Sequence, residues 1–428
     1  MTRYTKNGGG LRGRAKRWVS AALVATPLLT ACTTDELLKV DAPSLLPADR
    51  FQDPGQAALL VNGAIADFEC AYASTIMVEG LIADEFADAQ LGAASWDYDR
   101  RSSNQDPGGD YGTQGCTSDQ RVGLYAPVST ARWSADNVLK LLQAATDQQV
   151  AKRDSLTAAA ALYAGFSYAL LGQSMCEAAI DLGPRVNQQA LFKAAEDKFT
   201  IAIDAATKGN VASLKNAALV GRARVRLYQG NKTGADADAK LVPAGFVYNA
   251  TYSEATSRRY NRVYSSMQRT GFYTIEPASR NLTTEGRPDP RVAMFNTGVN
   301  GADRSQIWMT RRYTSNSSPI PIATWEEAQL IIAEAEGGQA AISAVNALRD
   351  KAGLPHYSGA TDAASIQSLI VDERRKALFA MGVRNYDIQR FNLPFNPAVG
   401  APFGKGGTYG NTTCLPLPNI EKFNNPNV

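Results

Sequence analysis

The chain has 428 residues, with 44 lysines and arginines against 41 aspartates and glutamates, which gives a formal charge of +3. This near-neutral balance excludes a dedicated nucleic-acid-binding protein, which would carry a strong basic excess. Hydrophobic residues at 44% and charged residues at 20% are typical of a globular chain and exclude a disordered one. The single histidine, His356, excludes histidine-rich metal sites and argues against a Ser-His-Asp mechanism.

The positive charge is concentrated at the N-terminus. Residues 1–31 hold six basic side chains and no acidic one, so the rest of the chain has 38 basic against 41 acidic residues, a net charge of −3. The basic start is followed by an apolar stretch from Val19 to Ala31, which is too short to span a bilayer. This order predicts a secretion signal over residues 1–31. No later run reaches the length of a membrane span, so we expect no transmembrane helix in the mature chain.

The sequence Leu29-Thr30-Ala31-Cys32 resembles a bacterial lipobox, in which the cysteine receives diacylglycerol after cleavage. The alternative is an ordinary signal peptide that ends beside a cysteine. Two or three acyl chains on Cys32 would anchor the protein stably in a membrane. We therefore predict a lipidated tether over residues 32–52, in which Asp35 and Glu36 resemble a surface-export signal.

Four cysteines remain after Cys32, and in an exported protein they are expected to form disulfides. No C-x-x-C motif is present, which excludes a zinc ribbon and a thioredoxin-like motif, and we predict no metal site and no cofactor. Three pairings are possible. We favour the one in which the first two cysteines bracket a loop-rich stretch, namely Cys70–Cys116 with Cys176–Cys414.

The first predicted helix begins at Asp53-Pro54-Gly55-Gln56, which combines an N-cap aspartate with a proline at the first helical position. Apolar residues then follow helical spacing as far as Phe68. A second helix is predicted over 74–88. Residues 92–118 are rich in glycine, aspartate and aromatic residues, and they predict a long loop of functional character.

Residues 119–230 follow a helical pattern almost throughout. Small and large apolar residues alternate in these segments, which favours close packing of paired helices in the manner of tetratricopeptide repeats. Glycines stand where helix C-caps belong, at Gly172, Gly209 and Gly230. The predicted helices cover 120–146, 155–172, 188–208 and 212–229.

The helical pattern stops at residue 231 and returns near residue 324. Residues 231–323 are rich in Asn, Arg, Tyr, Thr, Ser and Gly and predict irregular structure with a few short strands or helices. The last 37 residues, 392–428, again predict coil rich in glycine and proline. Three further helices are predicted over 324–336, 338–353 and 365–381.

Four motifs in the last third of the chain occur in a distinctive order. The motifs are Trp325-Glu326-Glu327-Ala328-Gln329-Leu330-Ile331-Ile332-Ala333-Glu334-Ala335, Ala344-Val345-Asn346-Ala347-Leu348-Arg349, Glu373-Arg374-Arg375-Lys376-Ala377-Leu378 followed by Gly382-Val383-Arg384-Asn385-Tyr386-Asp387, and Leu415-Pro416-Leu417-Pro418. With the lipobox and the helical core, they resemble the SusD/RagB family of outer-membrane nutrient-binding lipoproteins. The resemblance is sharp over 320–428 and diffuse over 53–230. Lys376 and Met381 depart from the family pattern, which has an acid and a glutamate there.

The resemblance implies a mainly α-helical, tetratricopeptide-like fold with long irregular loops. We therefore expect one SusD-like domain over 53–428, with a helical scaffold at 53–230 and 324–390, a loop-rich part at 231–323 and a C-terminal coil at 391–428. It also implies a cell-surface protein that captures glycans or other oligomers. Such a protein would deliver them, as a lid without catalysis, to a TonB-dependent transporter of SusC type. The alternatives are a peptide-binding RagB-like lipoprotein and a lipid-anchored scaffold that binds only protein.

Aromatic and hydrogen-bonding side chains in loops are the candidates for ligand binding, because sugar rings stack on aromatic faces. Each aromatic residue has the alternative role of anchoring its own loop to the core, and the helical Trp133 and Trp325 are predicted to be core residues. The ligand-binding candidates are Trp96, Tyr98, Arg101 and Tyr111 in the first loop, and Trp308 and Tyr313 in the second.

No catalytic residues are predicted. The chain has no G-x-S-x-G, H-E-x-x-H or P-loop motif, and acidic clusters are expected by chance among 41 acids. The dense charged set Glu373, Arg374, Arg384, Asp387 and Arg390 is predicted to be a structural ion-pair network that ties its helix to the C-terminal coil. His356 is predicted to be an incidental loop residue.

Overall fold

The computed structural model describes residues 51–92, 95–103 and 109–428. The predicted signal peptide 1–31, the lipidation site Cys32 and the tether as far as residue 50 lie outside the described residues. Ala48–Val428 forms one compact unit.

Fourteen α-helices occur in the described ranges, and most of the long ones lie close to the predicted positions. In chain order they are α1 Ala57–Ile82, α2 Trp96–Asp99, α3 Asp110–Thr113, α4 Tyr125–Ala144, α5 Arg153–Ser174, α6 Gln188–Lys208, α7 Ala212–Tyr228, α8 Lys232–Ala239, α9 Arg262–Tyr264, α10 Trp325–Glu336, α11 Gly338–Lys351, α12 Ala363–Ala377, α13 Arg384–Phe391 and α14 Asn419–Asn424.

The strands are short and pair only two at a time, always antiparallel. The five pairs are β1 with β5, β2 with β3, β4 with β10, β6 with β7, and β8 with β9. Their bounds are β1 Phe86–Asp88, β2 Glu177–Ala179, β3 Arg185–Asn187, β4 Val247–Ala250, β5 Tyr273–Ile275, β6 Thr283–Thr284, β7 Arg287–Pro288, β8 Met294–Asn300, β9 Gln306–Thr310 and β10 Ile320–Thr324.

The long helices form the scaffold, in which α1 packs on α4 and each of α4 to α7 packs on the next helix in the chain. Glycines allow the close approach at the crossings. A Cβ atom on Gly165 of α5 or Gly221 of α7 would lie 2.7 or 2.5 Å from the Phe199 ring of α6. Gly172 has the same role against Phe192, so it is an interior residue of α5 and does not form the predicted helix C-cap. The small residues noted in the sequence are therefore packing residues.

Helix α5, Arg153–Ser174, is long and apolar enough to cross a membrane by length and composition, contrary to the sequence expectation that no later run reaches that length. Most of its residues are buried inside the protein, where it lies at the centre of the hydrophobic core. A helix that is apolar all round is expected at such a central position.

The predicted helix over 74–88 is wrong, because α1 continues without a break from Ala57 to Ile82. Every residue from Phe68 to Ile82 is buried. The segment therefore has no polar face, and no periodicity of polar residues shows where the helix ends. Residues Phe86–Asp88 instead form β1, which pairs with β5.

The prediction that Trp133 is a core residue is also wrong. Trp133 is 46% exposed on α4, where it packs edge-on against Phe51.

Two disulfides hold the loops to the scaffold, and they join the pairs that the sequence analysis favoured. Cys70 in α1 is bonded to Cys116 in the loop before α4, and Cys176, directly before β2, is bonded to Cys414 in the C-terminal coil. The second bond fixes a segment 238 residues away along the chain. Loop and coil are thus positioned covalently beside the helices.

Candidate ligand-binding face

Trp96 opens the short helix α2, in the loop that the sequence analysis singled out. Its indole is half-buried and packs edge-on against Phe403 of the C-terminal coil, with ring centres 6.3 Å apart. The ammonium of Lys405 lies 6.0 Å from the same ring. The indole Nε1 is buried and has no hydrogen-bond partner in the described part of the chain. Because buried N–H donors are almost always hydrogen-bonded, we expect this one to have an acceptor in the functional state of the protein.

Lys405 joins three segments at this point. Its ammonium lies 2.7 Å from Asp88 Oδ1 at the end of β1 and 3.1 Å from Asp303 Oδ2 in the turn between β8 and β9. The backbone N–H of Asp303 donates to the Ala89 carbonyl at 3.1 Å. The C-terminal coil, the end of β1 and the β8–β9 hairpin therefore meet beside Trp96.

Trp308 lies on β9, directly opposite Asn296 of β8. The guanidinium of Arg280 lies 5.3 Å from its ring, and that of Arg311 lies 4.8 Å from the ring of Phe295. Trp308 is half-buried, and its Nε1 is a second buried indole nitrogen that lacks a partner among the described residues. Because residues paired across the two strands share a face, Trp308 and Asn296 lie on one face of the hairpin, whereas Phe295, which is paired with the buried Met309, lies on the other.

Two buried carboxyl groups interact electrostatically with the cations beside these rings, Asp99 with Lys405 and Glu276 with Arg280. Asp99 Oδ2 accepts a hydrogen bond from the Asp88 backbone N–H at 2.8 Å, whereas the carboxyl of Glu276 has no hydrogen bond or ion pair within the described ranges. The pKa of each is raised to about 7, chiefly by burial and, for Asp99, also by the negative charge of Glu276. Arg280 and Arg101 oppose the shift at Glu276.

We define the binding face as Trp96, Arg280, Asn296, Trp308 and Lys405 together with the buried residues beneath them. The buried residues are Asp99, Glu276 and Phe403. The binding face combines half-buried aromatic rings with charged groups and amides, which is the combination that recognises a ligand with apolar faces and many hydroxyl groups.

Four of the six predicted ligand-binding residues lie in the interior, so the prediction that they contact ligand is wrong for these four. Tyr98, Arg101, Tyr111 and Tyr313 are each exposed by 2% or less. The tyrosine hydroxyls donate to backbone carbonyls, of Val122 at 2.8 Å for Tyr98, of Pro416 at 3.0 Å for Tyr111 and of Ala380 at 3.1 Å for Tyr313. They anchor loops to the core, so no ring face is left for a ligand.

Arg101 has a similar structural role. Its guanidinium lies 4.5 Å from the Phe395 ring and 4.6 Å from the Tyr409 ring, and its Nε donates to the Gly410 carbonyl at 3.1 Å. It therefore ties the segment after α2 to the C-terminal coil. Trp96 and Trp308 are the predicted residues that reach the binding face.

The sequence analysis missed the partners that other segments bring to these tryptophans. Phe403 and Lys405 lie in glycine-rich coil, and Glu276 and Arg280 follow a three-residue strand. Lys405 within Gly404-Lys405-Gly406-Gly407 was a usable signal, since it is the only charged residue over 391–420 and lies among glycines. Phe403, Glu276 and Arg280 belong to no periodic sequence pattern by which they could have been predicted.

The charged set of the last third forms an ion-pair network, as predicted. Arg374 and Arg390 both bind the buried Asp387 at 2.8 Å, and Arg390 also binds Glu334. The pairs hold helices and loops together rather than the C-terminal coil, which Asn385 binds through the Thr413 carbonyl at 2.7 Å. Further pairs are Arg384–Asp84 at 2.8 Å, Arg349–Glu373 at 2.7 Å and Arg291–Glu373 at 2.7 Å.

Two further features concern chemistry outside the binding face. His356 is exposed in the loop after α11, with Nε2 2.6 Å from Asp350 Oδ1, as expected of a loop residue. The residues that the structure describes contain no group of three or more His, Cys, Asp or Glu side chains that could hold a metal ion.

Solved structures provide the comparison that identifies the fold. A SusD superfamily protein from Bacteroides vulgatus matches with a TM-score of 0.64 at 14% identity, over 88% of this chain and 98% of its own. A SusD-like carbohydrate-binding protein from the same organism has a TM-score of 0.64 at 16% identity, over 88% and 97% of the two chains. A laminarin-binding SusD-like protein has a TM-score of 0.62 at 16% identity, over 86% and 96%.

The chain therefore has the SusD-like fold, and the prediction of a mainly α-helical, tetratricopeptide-like architecture is confirmed. No family profile matches the sequence, and no curated protein matches it significantly. At 13–16% identity, the structural likeness establishes the fold alone.

Proposed function

We propose that this chain, which has the SusD-like fold, is a nutrient-binding lipoprotein that captures oligosaccharides on the binding face. The observation that carries the proposal is the pair of half-buried tryptophans, Trp96 and Trp308, whose buried indole N–H groups have no partner among the residues that the structure describes. An oligosaccharide offers apolar ring faces for stacking and hydroxyl oxygens as acceptors. A carbohydrate-binding and a laminarin-binding protein among the structural neighbours support this choice of ligand.

Anchoring and delivery belong to the same proposal. The lipobox at Cys32 would hold the protein in the outer membrane, with the domain on the cell surface at the end of the tether 32–52. There it would act as a lid that passes its ligand, unaltered, to a TonB-dependent transporter of SusC type. The family resemblance of the four C-terminal motifs supports this partner and the absence of catalysis.

A glycan array with the purified protein, followed by calorimetry on the best ligand, tests the capture step. We expect Trp96→Ala and Trp308→Ala each to weaken binding by about thirtyfold, because a buried tryptophan anchor contributes about 2 kcal/mol or more. Trp133→Ala is the matched control, since Trp133 is exposed on α4, away from the binding face, and its loss should leave affinity unchanged.

The outcomes separate the alternatives. Binding of peptides but not glycans would support the RagB-like alternative, and binding of neither, with the barrel still captured, would support the protein scaffold. Mass spectrometry of the incubated glycan provides the test of catalysis, and shortened products would contradict the lid proposal. Failure to co-purify a TonB-dependent barrel from native membranes would contradict the delivery step.

A further inference from the structure

A cavity of about 250 Å³ lies between the end of α11, the end of α12 and the start of α10. Its walls are mostly apolar and include Pro321, Leu348, Ala377 and Met381, with Val247 at the rim. A dry cavity of about 150 Å³ is sufficient for benzene, so this one has room for a somewhat larger small molecule. None of the residues that line it belongs to the binding face.

Arg312 brings an unneutralised positive charge to this cavity. Its guanidinium donates to the carbonyls of Ala377 at 3.1 Å, Phe379 at 2.9 Å and Arg291 at 3.4 Å, and no carboxylate among the described residues lies within ion-pair distance. Arg291, which also lines the cavity, is different, because Asp289 at 2.6 Å and Glu373 at 2.7 Å neutralise it.

Glu85 is a buried acid close enough to interact electrostatically with Arg312, but no hydrogen bond or ion pair joins the two side chains within the described residues. The Glu85 carboxyl accepts the Ala380 backbone N–H at 3.0 Å, and burial raises its pKa to about 7. Arg312 lowers that pKa only as one of the smaller influences. The charge of Arg312 is therefore available to an anion in the cavity.

Glu326 supplies the complementary acceptor. Its Oε1 is bound by Lys351, whereas its Oε2 is buried and has no hydrogen-bond partner in the part of the chain that the structure describes. A buried acceptor without a donor is unfavourable by about 1–3 kcal/mol, so a donor on a ligand would stabilise it. The cavity thus offers a cation, an acceptor and an apolar volume.

We propose that this cavity binds a small carboxylic acid that carries an apolar body and an amino or hydroxyl donor next to the carboxylate. The carboxylate binds Arg312, the donor binds Glu326 Oε2, and the body fills the space between Leu348, Ala377 and Met381. This site is distinct from the binding face, and binding of the acid here does not depend on the transport of oligosaccharide.

Calorimetry on the full chain tests the proposal with four related probes. We expect L-leucine and 2-hydroxy-4-methylpentanoate to bind saturably, and 4-methylpentanoate, which lacks the donor, to bind about tenfold more weakly. The amine 3-methylbutylamine, which lacks the carboxylate, should not bind. No saturable binding of either donor-bearing acid up to about 10 mM, or equal binding of the amine or of 4-methylpentanoate, would overturn the proposal.

Variants then locate the binding. Arg312→Gln should weaken leucine binding by about tenfold to a hundredfold, because it removes the charge but leaves an amide that can still donate to the helix carbonyls. Ala352→Phe, at the cavity lining, should block binding without touching Arg312. Arg311→Gln is the matched control and should bind as the wild type does. Unchanged binding in both Arg312→Gln and Ala352→Phe, with melting temperatures near that of the wild type, would overturn the assignment.

Discussion

Trp96 and Trp308 lie on different segments and share one chemical property. Each places its ring at the surface and its indole nitrogen beneath it, where the N–H meets no acceptor in the described residues. Most buried donors in folded proteins are paired, and in our proposal the oligosaccharide supplies the acceptors for these two. The proposal therefore assigns separate contributions to the aromatic ring and to the N–H.

Replacing Trp308 by phenylalanine separates those contributions. Trp308→Phe retains an aromatic face but removes the donor, so we expect oligosaccharide affinity to fall by about fivefold to tenfold, the effect of one hydrogen bond. Trp308→Ala should reduce it further, because stacking is lost as well. Calorimetry measures both, with Trp133→Phe as the control. If Trp308→Phe bound as tightly as the wild type, the indole N–H would have no part in recognition.

Glu276 is a buried residue of the binding face whose charged form is disfavoured. It is exposed by 8%, and burial raises its pKa from 4.5 in an unfolded chain to about 7. As the pH rises from 4.5 to 7, the unfolded chain therefore loses this proton before the folded protein does. The ionised side chain then lowers the free energy of unfolding, and the loss is complete above pH 7.

Glu276→Gln should consequently stabilise the protein at pH 8 and have little effect near pH 4. The expected gain is at most about 3 kcal/mol, measured as a rise in melting temperature. Glu285→Gln should act with the opposite sign, because the hydrogen bond from Arg349 lowers the pKa of Glu285 and its charge therefore stabilises the fold at pH 8. A Glu276→Gln effect that did not change between pH 4 and pH 8 would contradict this account.

The crossings of α5, α6 and α7 show how element packing depends on single glycines. Phe199 of α6 lies between Gly165 of α5 and Gly221 of α7, each close enough that an added methyl group would collide with its ring. Such interlocking makes the three helices one rigid unit. The loops and the C-terminal coil are held against this unit by buried side chains and two disulfides.

Gly221→Ala should lower the free energy of unfolding by about 1–3 kcal/mol, since overpacking outweighs the gain in helix propensity. Gly63→Ala is a matched substitution in α1, where the added methyl group would meet nothing within 4 Å. It should stabilise the protein by roughly 1 kcal/mol. Urea unfolding measures both changes. Stabilisation by both substitutions would show that Phe199 yields easily and that the crossing is not close-packed.

The helical elements could be predicted because their sequence pattern is local. Residues Gln188–Lys208 form a helix with the bounds that periodicity indicated, since one face is apolar and the asparagine before it accepts the Ala190 N–H. The binding face could not be predicted in the same way. Lys405 reaches Asp88 across 317 residues, and such a contact depends on tertiary folding that no local pattern records.

The degree of burial separates the aromatic residues that reach the binding face from those that anchor a loop. Tyr98 and Trp96 are two residues apart in one loop, with similar surroundings in the sequence, yet the first anchors the loop and the second forms part of the binding face. The difference arises from the direction in which the four-residue helix α2 turns its side chains. A sequence pattern of this length cannot specify that direction.

At the scale of the whole molecule, the formal charge of +3 is the sum of two opposite parts. The N-terminal 31 residues carry +6 and the remaining chain carries −3. An excess of acid over base in the working protein is consistent with capture of neutral oligosaccharides, which need no electrostatic attraction. We predict a separate role for the basic segment, as the start of an export signal that ends at the lipidation site Cys32.

Cys32→Ser tests that role for the entire protein. Acyl chains contribute about 0.8 kcal/mol for each buried methylene, so two or three of them hold a chain at a membrane, whereas a serine at this position would hold nothing. We expect wild-type protein to incorporate labelled palmitate and to sediment with the outer membrane, and Cys32→Ser to do neither.

Thr33→Ala is the matched control, because it alters the adjacent residue and leaves the acceptor cysteine in place. Its label and sedimentation should equal those of the wild type. If Cys32→Ser still carried label and stayed with the membrane, another residue would be the anchor. If neither protein carried label, residues 1–31 would be an ordinary signal peptide, and delivery to a membrane transporter would require the domain to bind the barrel without a lipid anchor.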